Sequence, residues 1–181
     1  CDPLCGSGTL PIEAALMGLN RAPGRFRDRF GFETWPDFDR SLWHRLCQEA
    51  EAAEHSALAA PIVGCDRDPS VIDQAWTNAR NCQVARQITL KHMELAEVEA
   101  PADSGIVLCN PPYGERLGRG EDLGAFYKLL GDVLKQRFKG WTAFVLSGNK
   151  ALAKSIGLKS SQRFPVFNGS LSCQLMKYEL Y

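Results

Sequence analysis

The sequence predicts an α/β domain: a mostly parallel sheet with helices on both faces and an antiparallel hairpin at its C-terminal edge. Short apolar runs at 61–65 and 105–109 read as buried parallel strands. Segments with helical signals alternate with them, which is the order of a sheet covered on both sides. Apolar stretches at 164–167 and 173–180 flank Asn168-Gly169, a turn signal. The 181 residues, 45% hydrophobic and 23% charged, suffice for one well-buried domain and are too few for two ordinary ones, so residues 1–181 are expected to form a single domain.

The elements follow in order. Residues 10–19 read as a helix, with Thr9 as its cap, Pro11 tolerated in the first turn and Glu13 suited to its positive end. Residues 20–39 mix Arg21, Arg25, Arg27 and Arg29 with Phe26, Phe30, Phe32, Trp35 and Phe38 and show neither helical nor strand periodicity, hence a loop. Residues 41–60 return to helix, rich in Ala, Glu and Leu. After the strand that ends at Asp66, Asp68 caps a helix running to Asn81, with Pro69 at its first position. Residues 87–91 alternate as a strand should, 123–137 form an amphipathic helix, 141–146 a further strand and 150–156 a short helix. The connection in the C-terminal hairpin is expected to exceed two residues.

Lys+Arg and Asp+Glu both number 21, so no whole-molecule field draws in nucleic acid, and any such affinity must come from local patches. Of the seven cysteines, several lie in apolar runs, the pattern of buried free thiols in a reducing compartment. Cys1 and Cys5 form a CxxxC pair that no nearby third Cys or His completes, so no metal is expected. With no apolar run long enough to span a membrane and no signal-like segment, the protein is expected in the cytoplasm, with no membrane partner. The chain opens directly on a loop motif. A strand is expected before Asp2, central in the sheet and flanked on both sides.

Three motifs are expected at the carboxyl ends of strands, where ligands bind in such sheets. In the segment Asp2-Pro3-Leu4-Cys5-Gly6-Ser7-Gly8-Thr9, two glycines let the backbone turn tightly and approach a ligand. It lacks the Gly-Lys-Ser/Thr of a phosphate loop and the third glycine of a dinucleotide fingerprint, which favours a nucleoside-like ligand without phosphates. Asp66 stands where a carboxylate accepts from both hydroxyls of a ribose; the competing reading is that it only caps the next helix, the role assigned to Asp68. Asn110-Pro111-Pro112-Tyr113 is the most specific feature. Pro-Pro after a buried strand fixes an extended backbone whose carbonyls only accept. The Asn110 oxygen and a nearby carbonyl would together hold both hydrogens of an amino group and draw its nitrogen out of conjugation, while Tyr113 stacks on the base that carries it.

On these residues the chain resembles the class I methyltransferases with an Asn-Pro-Pro-Tyr motif, and among them the RNA methylases that carry an upstream THUMP domain. Arg21-Ala22-Pro23-Gly24 with the aromatics to Trp35, the segment 110–117, and Asn168-Gly169 with Cys173 are similar to the bacterial large-subunit ribosomal RNA guanine-N2-methyltransferases. The resemblance implies a Rossmann-like fold, S-adenosylmethionine as cofactor and ribosomal RNA as partner. It implies that Asp2, Cys5, Gly6, Ser7, Gly8 and Thr9 surround the methionine part of the cofactor, Asp66 its ribose, and Arg67 and Glu94 its adenine. Asn110 to Tyr113 would form the catalytic loop, with Asn110 also near the cofactor, and Arg116 and Tyr113 would join Arg21, Arg25, Arg27 and Arg29 on the RNA side. Glu94 stands where many relatives have Asp, and Arg67 where an apolar residue often packs. The family's first strand and THUMP domain are expected upstream.

The loop chemistry serves adenine N6 in RNA or DNA, protein glutamine and guanine N2 alike; the whole-chain resemblance selects guanine in large-subunit ribosomal RNA. Two further readings compete. A nicotinamide oxidoreductase would use a similar sheet but leaves Asn110 to Tyr113 unexplained, and a non-catalytic RNA-binding module would rest on the arginine and aromatic loop, whose blander reading is ordinary solvated surface.

Overall fold

The computed structural model describes residues 1–112 and 122–181. Helix α1 (Thr9–Gly18) leads through an irregular segment with a 3₁₀ turn at Gly31–Thr34 to α2 (Arg40–Ala52). Strand β1 (Ile62–Asp66), α3 (Pro69–Asn81) and β2 (Ile88–His92) follow, then a 3₁₀ turn at Leu95–Glu97 and β3 (Ile106–Cys109). The rest is α4 (Leu123–Arg137), β4 (Thr142–Ser147), α5 (Lys150–Ser155), β5 (Gln162–Asn168) and β6 (Leu171–Glu179). The local signals act as expected: Asp68 accepts from Ser70 N at the start of α3, with Pro69 in the first turn, and Asp122 accepts from Ala125 N at the start of α4.

The sheet is not continuous. β1 pairs with β2 in one parallel pair, while β3, β4, β6 and β5 form a second sheet in that order, parallel between β3 and β4 and antiparallel thereafter. Between the two lie Cys1 and Asp2. Asp2 N donates to Val63 O and Cys65 N to Asp2 O, both at 2.8 Å, while on the other side Leu108 N donates to Cys1 O at 3.0 Å and the Cys1 amino group to Ile106 O at 2.8 Å. Two residues thus hold the central place expected of a strand, and the order across the molecule reads β2, β1, Cys1-Asp2, β3, β4, β6, β5.

Two apolar clusters flank this seam. α1 and α3 bury Ile12, Ala15, Ile72 and Ala75 against Ile88 and Leu90, whereas α4 and α5 cover Val107, Ala143, Val145, Met176 and Tyr178. Helices therefore lie on both sides of the molecule, and the other face of β3, β4 and β6 carries the half-buried Leu108, Phe144, Leu146 and Leu175.

Several strand and helix ends shift by one or two residues, and three differences from the sequence reading change the local structure. α2 stops at Ala52 instead of Ala60, because His55 N donates to Leu19 O and Asn20 Nδ2 to Ala53 O, turning the chain back onto the end of α1. The hairpin connection is two residues, Gly169 and Ser170, since β5 and β6 pair out to Asn168 and Leu171. Thr9 is the first residue of α1 and not its cap; the cap position is Gly8, in a left-handed conformation that offers no side-chain acceptor.

Candidate active site

The parallel strands deliver the three motifs to one end of the molecule. From Asp2 the chain turns over the end of β1, where Cys5 N donates to Cys65 O at 2.8 Å and Gly8 N closes the turn on Cys5 O at 2.9 Å. Gly6 and Gly8 have φ of +53° and +84°, a region that side chains disfavour. Their surroundings differ. A Cβ on Gly8 would lie 3.1 Å from Ala75 Cβ, so Gly8 lets α1 and α3 approach, whereas a Cβ on Gly6 would meet nothing within 4 Å. Gly6 thus faces open space on the concave side of a loop, and α1 begins behind it without a side-chain cap, leaving first-turn N–H groups for a ligand.

Asp66 holds this loop from below. Its Oδ2 accepts from Gly6 N and its Oδ1 from Asp68 N, both at 3.0 Å. One bond to each oxygen leaves acceptor capacity on a half-buried carboxylate, so the turn-forming role and a ribose role are compatible. Beside it, Met93 N donates to Asp66 O at 2.9 Å and a ring nitrogen of His92 lies 3.0 Å from Arg67 O, bringing the ends of β1 and β2 together. Arg67 and Glu94 are both exposed at this end.

At the end of β3, Asn110 is exposed, Pro111 buried and Pro112 half-buried. The next strand over, β4, ends in a buried Ser147, whose hydroxyl donates to Asn149 O and accepts from Asn149 N. The Asn149 side chain in turn caps α5 through Ala151 N and Leu152 N. Tyr113 and Arg116 lie outside the described residues.

Asp2 is 4% exposed and Cys5 6%; Asp2 accepts from Leu4 N at 3.1 Å, and both side chains shape the turn. Burial pushes the Asp2 carboxyl up to about 7, against the opposing Leu4 hydrogen bond, and pushes the Cys5 thiol up to about 12. Burial likewise raises Cys65 and Cys109, so these thiols stay protonated and unreactive. All seven cysteines are free, although Cys47 is exposed rather than buried. Among the described residues there is no metal-ligating cluster and no helix long and apolar enough to cross a membrane.

The arginine loop sits elsewhere. Arg21 Nε lies 3.2 Å from Glu54 and Arg21 Nη1 donates to Gln83 O at 2.9 Å, at the C-terminal ends of α1 and α3. Arg25 pairs with Glu51 at 3.1 Å and Glu54 at 3.0 Å. These two tie the segment down at the end of the molecule opposite the glycine loop, while Arg27 and Arg29 are exposed, Arg27 lying 5.9 Å over the Phe30 ring. Phe30, Phe32 and Trp43 form a small core of their own, with centroids 5.0 to 5.5 Å apart. The sequence reading missed Asn78, whose Nδ2 holds Ser7 O at 2.9 Å, and the pair Ser147 and Asn149. A polar residue on the loop-facing side of α3 was the available signal for Asn78; nothing local marked the others.

Comparison with known proteins fits this geometry. A Synechocystis protein that carries an RNA methyltransferase name is 57% identical over 180 residues, covering 99% of this chain and 47% of that protein. The ribosomal RNA large subunit methyltransferase K/L of Marinobacter nauticus is 41% identical over 185 residues, covering 99% of this chain and 26% of its own length. Among solved structures, SMU.472, a methyltransferase crystallised with S-adenosylhomocysteine, superposes with a TM-score of 0.90 at 34% identity over 99% of this chain and 47% of its own. A Listeria monocytogenes protein described as an N6-adenine-specific DNA methylase does so at 0.84 and 34%, over 99% of this chain and 46% of its own. The chain thus spans about half the length, or less, of the proteins it matches. The family model of the RMKL-like methyltransferase domain matches residues 1–177, and the chain belongs to that family, UPF0020.

Proposed function

We propose that the chain is the catalytic domain of an S-adenosylmethionine-dependent RNA methyltransferase that modifies the N2 amine of a guanine in large-subunit ribosomal RNA. The observation that supports it is the shared placement of an open glycine loop tied to Asp66 and of the Asn110-Pro111-Pro112 turn, at adjoining strand ends. The cradle fits the cofactor: open space at Gly6, uncapped N–H groups of α1 for a carboxylate, and spare acceptor capacity on Asp66 for ribose hydroxyls. Arg67 and Glu94 flank the place of the adenine.

When bound, the cofactor supplies a methyl group on a positively charged sulfur. The Asn110 oxygen and a carbonyl of the proline pair accept from the target amine and turn its lone pair out of the ring. An amine attached to a base becomes acidic as it is alkylated, so its proton leaves to water or a carbonyl, and no strong base is needed. Catalysis then rests on alignment, which contributes about 7 to 11 kcal/mol in well-oriented reactions. Tyr113 is proposed to stack on the flipped base and Arg116 to meet the RNA.

The proposal extends to the surroundings. The chain's further strand and THUMP domain are proposed upstream of Cys1, a reading that the half-buried apolar row Leu108, Phe144, Leu146 and Leu175 supports. In the full protein a THUMP domain would help to select the RNA, in the cytoplasm where ribosomes are made. Names among the relatives divide between ribosomal RNA and DNA adenine, so the decisive experiment is mass spectrometry of nucleosides after the full-length protein meets undermethylated large-subunit RNA and cofactor. N2-methylguanosine is expected; N6-methyladenosine, or no methylated nucleoside, overturns the assignment.

A further inference from the structure

The C-terminal hairpin is longer than the sheet it joins. The last pair between β4 and β6 is Ser147 with Gln174, yet β6 begins at Leu171 and pairs only with β5 over its first three residues. At about 3.3 Å per residue the tip projects roughly 10 Å past the end of β4. It does so on the active-site side, because Cys109 pairs with Val145 and Asn110 therefore stands level with the last residues of β4. β6 is two strands from β3 and β5 three, so at about 4.8 Å per strand the tip stands roughly 10 to 14 Å to the side of Asn110.

Two exposed apolar side chains flank the polar turn at the tip. Phe167 is 78% exposed and Leu171 57%, and their pairings, Phe167 with Ser172 and Asn168 with Leu171, put them on opposite faces of the ribbon. No acidic residue occurs between Val166 and Gln174, so nothing at the tip repels phosphate, and the exposed Lys150 opens α5 at the same end. Two strands joined by Gly169 and Ser170 make a thin blade with an aromatic ring at its edge.

Resting on the methyltransferase reading above, we propose that this hairpin is a wedge: Phe167 enters the RNA base stack at the place vacated when the target guanine turns out toward Asn110. Flipping costs a few kcal/mol in lost stacking, and an inserted apolar side chain offsets that cost by stacking on the exposed neighbours. Phe167 thus acts on the RNA, not on the cofactor or the transferred methyl.

The test uses the full-length protein, labelled S-adenosylmethionine and two RNAs carrying the same target, one paired within a helix and one single-stranded. In single-turnover reactions Phe167→Ala is expected to slow methylation of the paired target by about tenfold or more while changing the single-stranded rate less than about twofold, and Phe167→Trp to restore the paired rate. Equal losses on both RNAs, with or without a lowered melting temperature, make Phe167 a packing residue and overturn the wedge, as does no loss on either. Wild-type protein that methylates neither RNA overturns the methyltransferase reading, and the wedge with it.

Discussion

At Asp66 one carboxylate oxygen accepts from Gly6 N and the other from Asp68 N, so removing the side chain would loosen the glycine loop as well as strip acceptors from a ribose. Asp66→Ala is expected to weaken cofactor binding by about 1.5 to 3 kcal/mol for each charge-assisted hydrogen bond lost. Titration calorimetry on the folded variant measures this, and an unchanged affinity would remove Asp66 from the cofactor site. Asn110 is expected to behave in the opposite way. Its interaction is made mainly as the amine pyramidalises, so Asn110→Ala should slow single-turnover methyl transfer at least about a hundredfold and leave cofactor affinity within about threefold. Comparing the two constants for one variant separates a role in chemistry from one in binding. The positions of both residues at strand ends were legible in the sequence, because each closes a short apolar run bounded by turn signals. That Asp2 and Cys5 are buried was not legible in the sequence: a motif marks where a loop is, but packing decides which of its side chains face out.

Helices and strands whose signals are local came through with their boundaries nearly intact. α4 spans Leu123–Arg137 as expected, and α3 starts on Asp68 and Pro69. The errors lie where long-range contacts decide. The helical composition of 41–60 continues past Ala52, but Glu54 and His55 are taken up by Arg21, Arg25 and Leu19, residues some thirty positions earlier. The same pairings make Arg21 and Arg25 struts of the fold in addition to the RNA role expected of them. Helix contact sets a sharper condition at Gly131 of α4, where a Cβ would overlap the Ile156 carbonyl just after α5. Gly131→Ala is therefore expected to destabilise the domain by about 1 to 3 kcal/mol despite the better helix propensity of alanine, because the two helices must separate. Urea denaturation gives the value, and a variant as stable as the parent would mean that α5 shifts freely.

For the whole molecule, the buried acid at the seam ties stability to pH. The Asp2 carboxyl, held at about 7 by burial, lies above its ordinary 3.8, so between these values the unfolded chain has released a proton that the folded one keeps. The stabilising contribution is complete below about pH 4 and is lost as pH rises toward 7, at up to about 1.4 kcal/mol per pH unit. Asp2→Asn should flatten that part of the profile relative to the parent, and parallel profiles in denaturant titrations from pH 5 to 8 would show that Asp2 ionises normally.

Asp2 and Cys1 also decide how the two half-sheets keep their positions. The glycine loop and Asp66 belong to the side built on β1 and β2, whereas Asn110 and the hairpin belong to the side built on β3 to β6, and the backbone of Cys1 and Asp2 lies on the line where they join. On the proposed function, donor and acceptor are thus mounted on separate plates, and the methyl group would jump the line along which they meet. A slip of about 1 Å along that line would leave each plate, and each ligand's grip on it, undisturbed, yet cost on the order of a hundredfold in transfer. On that reading the tolerance of the transfer would be the tolerance of that joint.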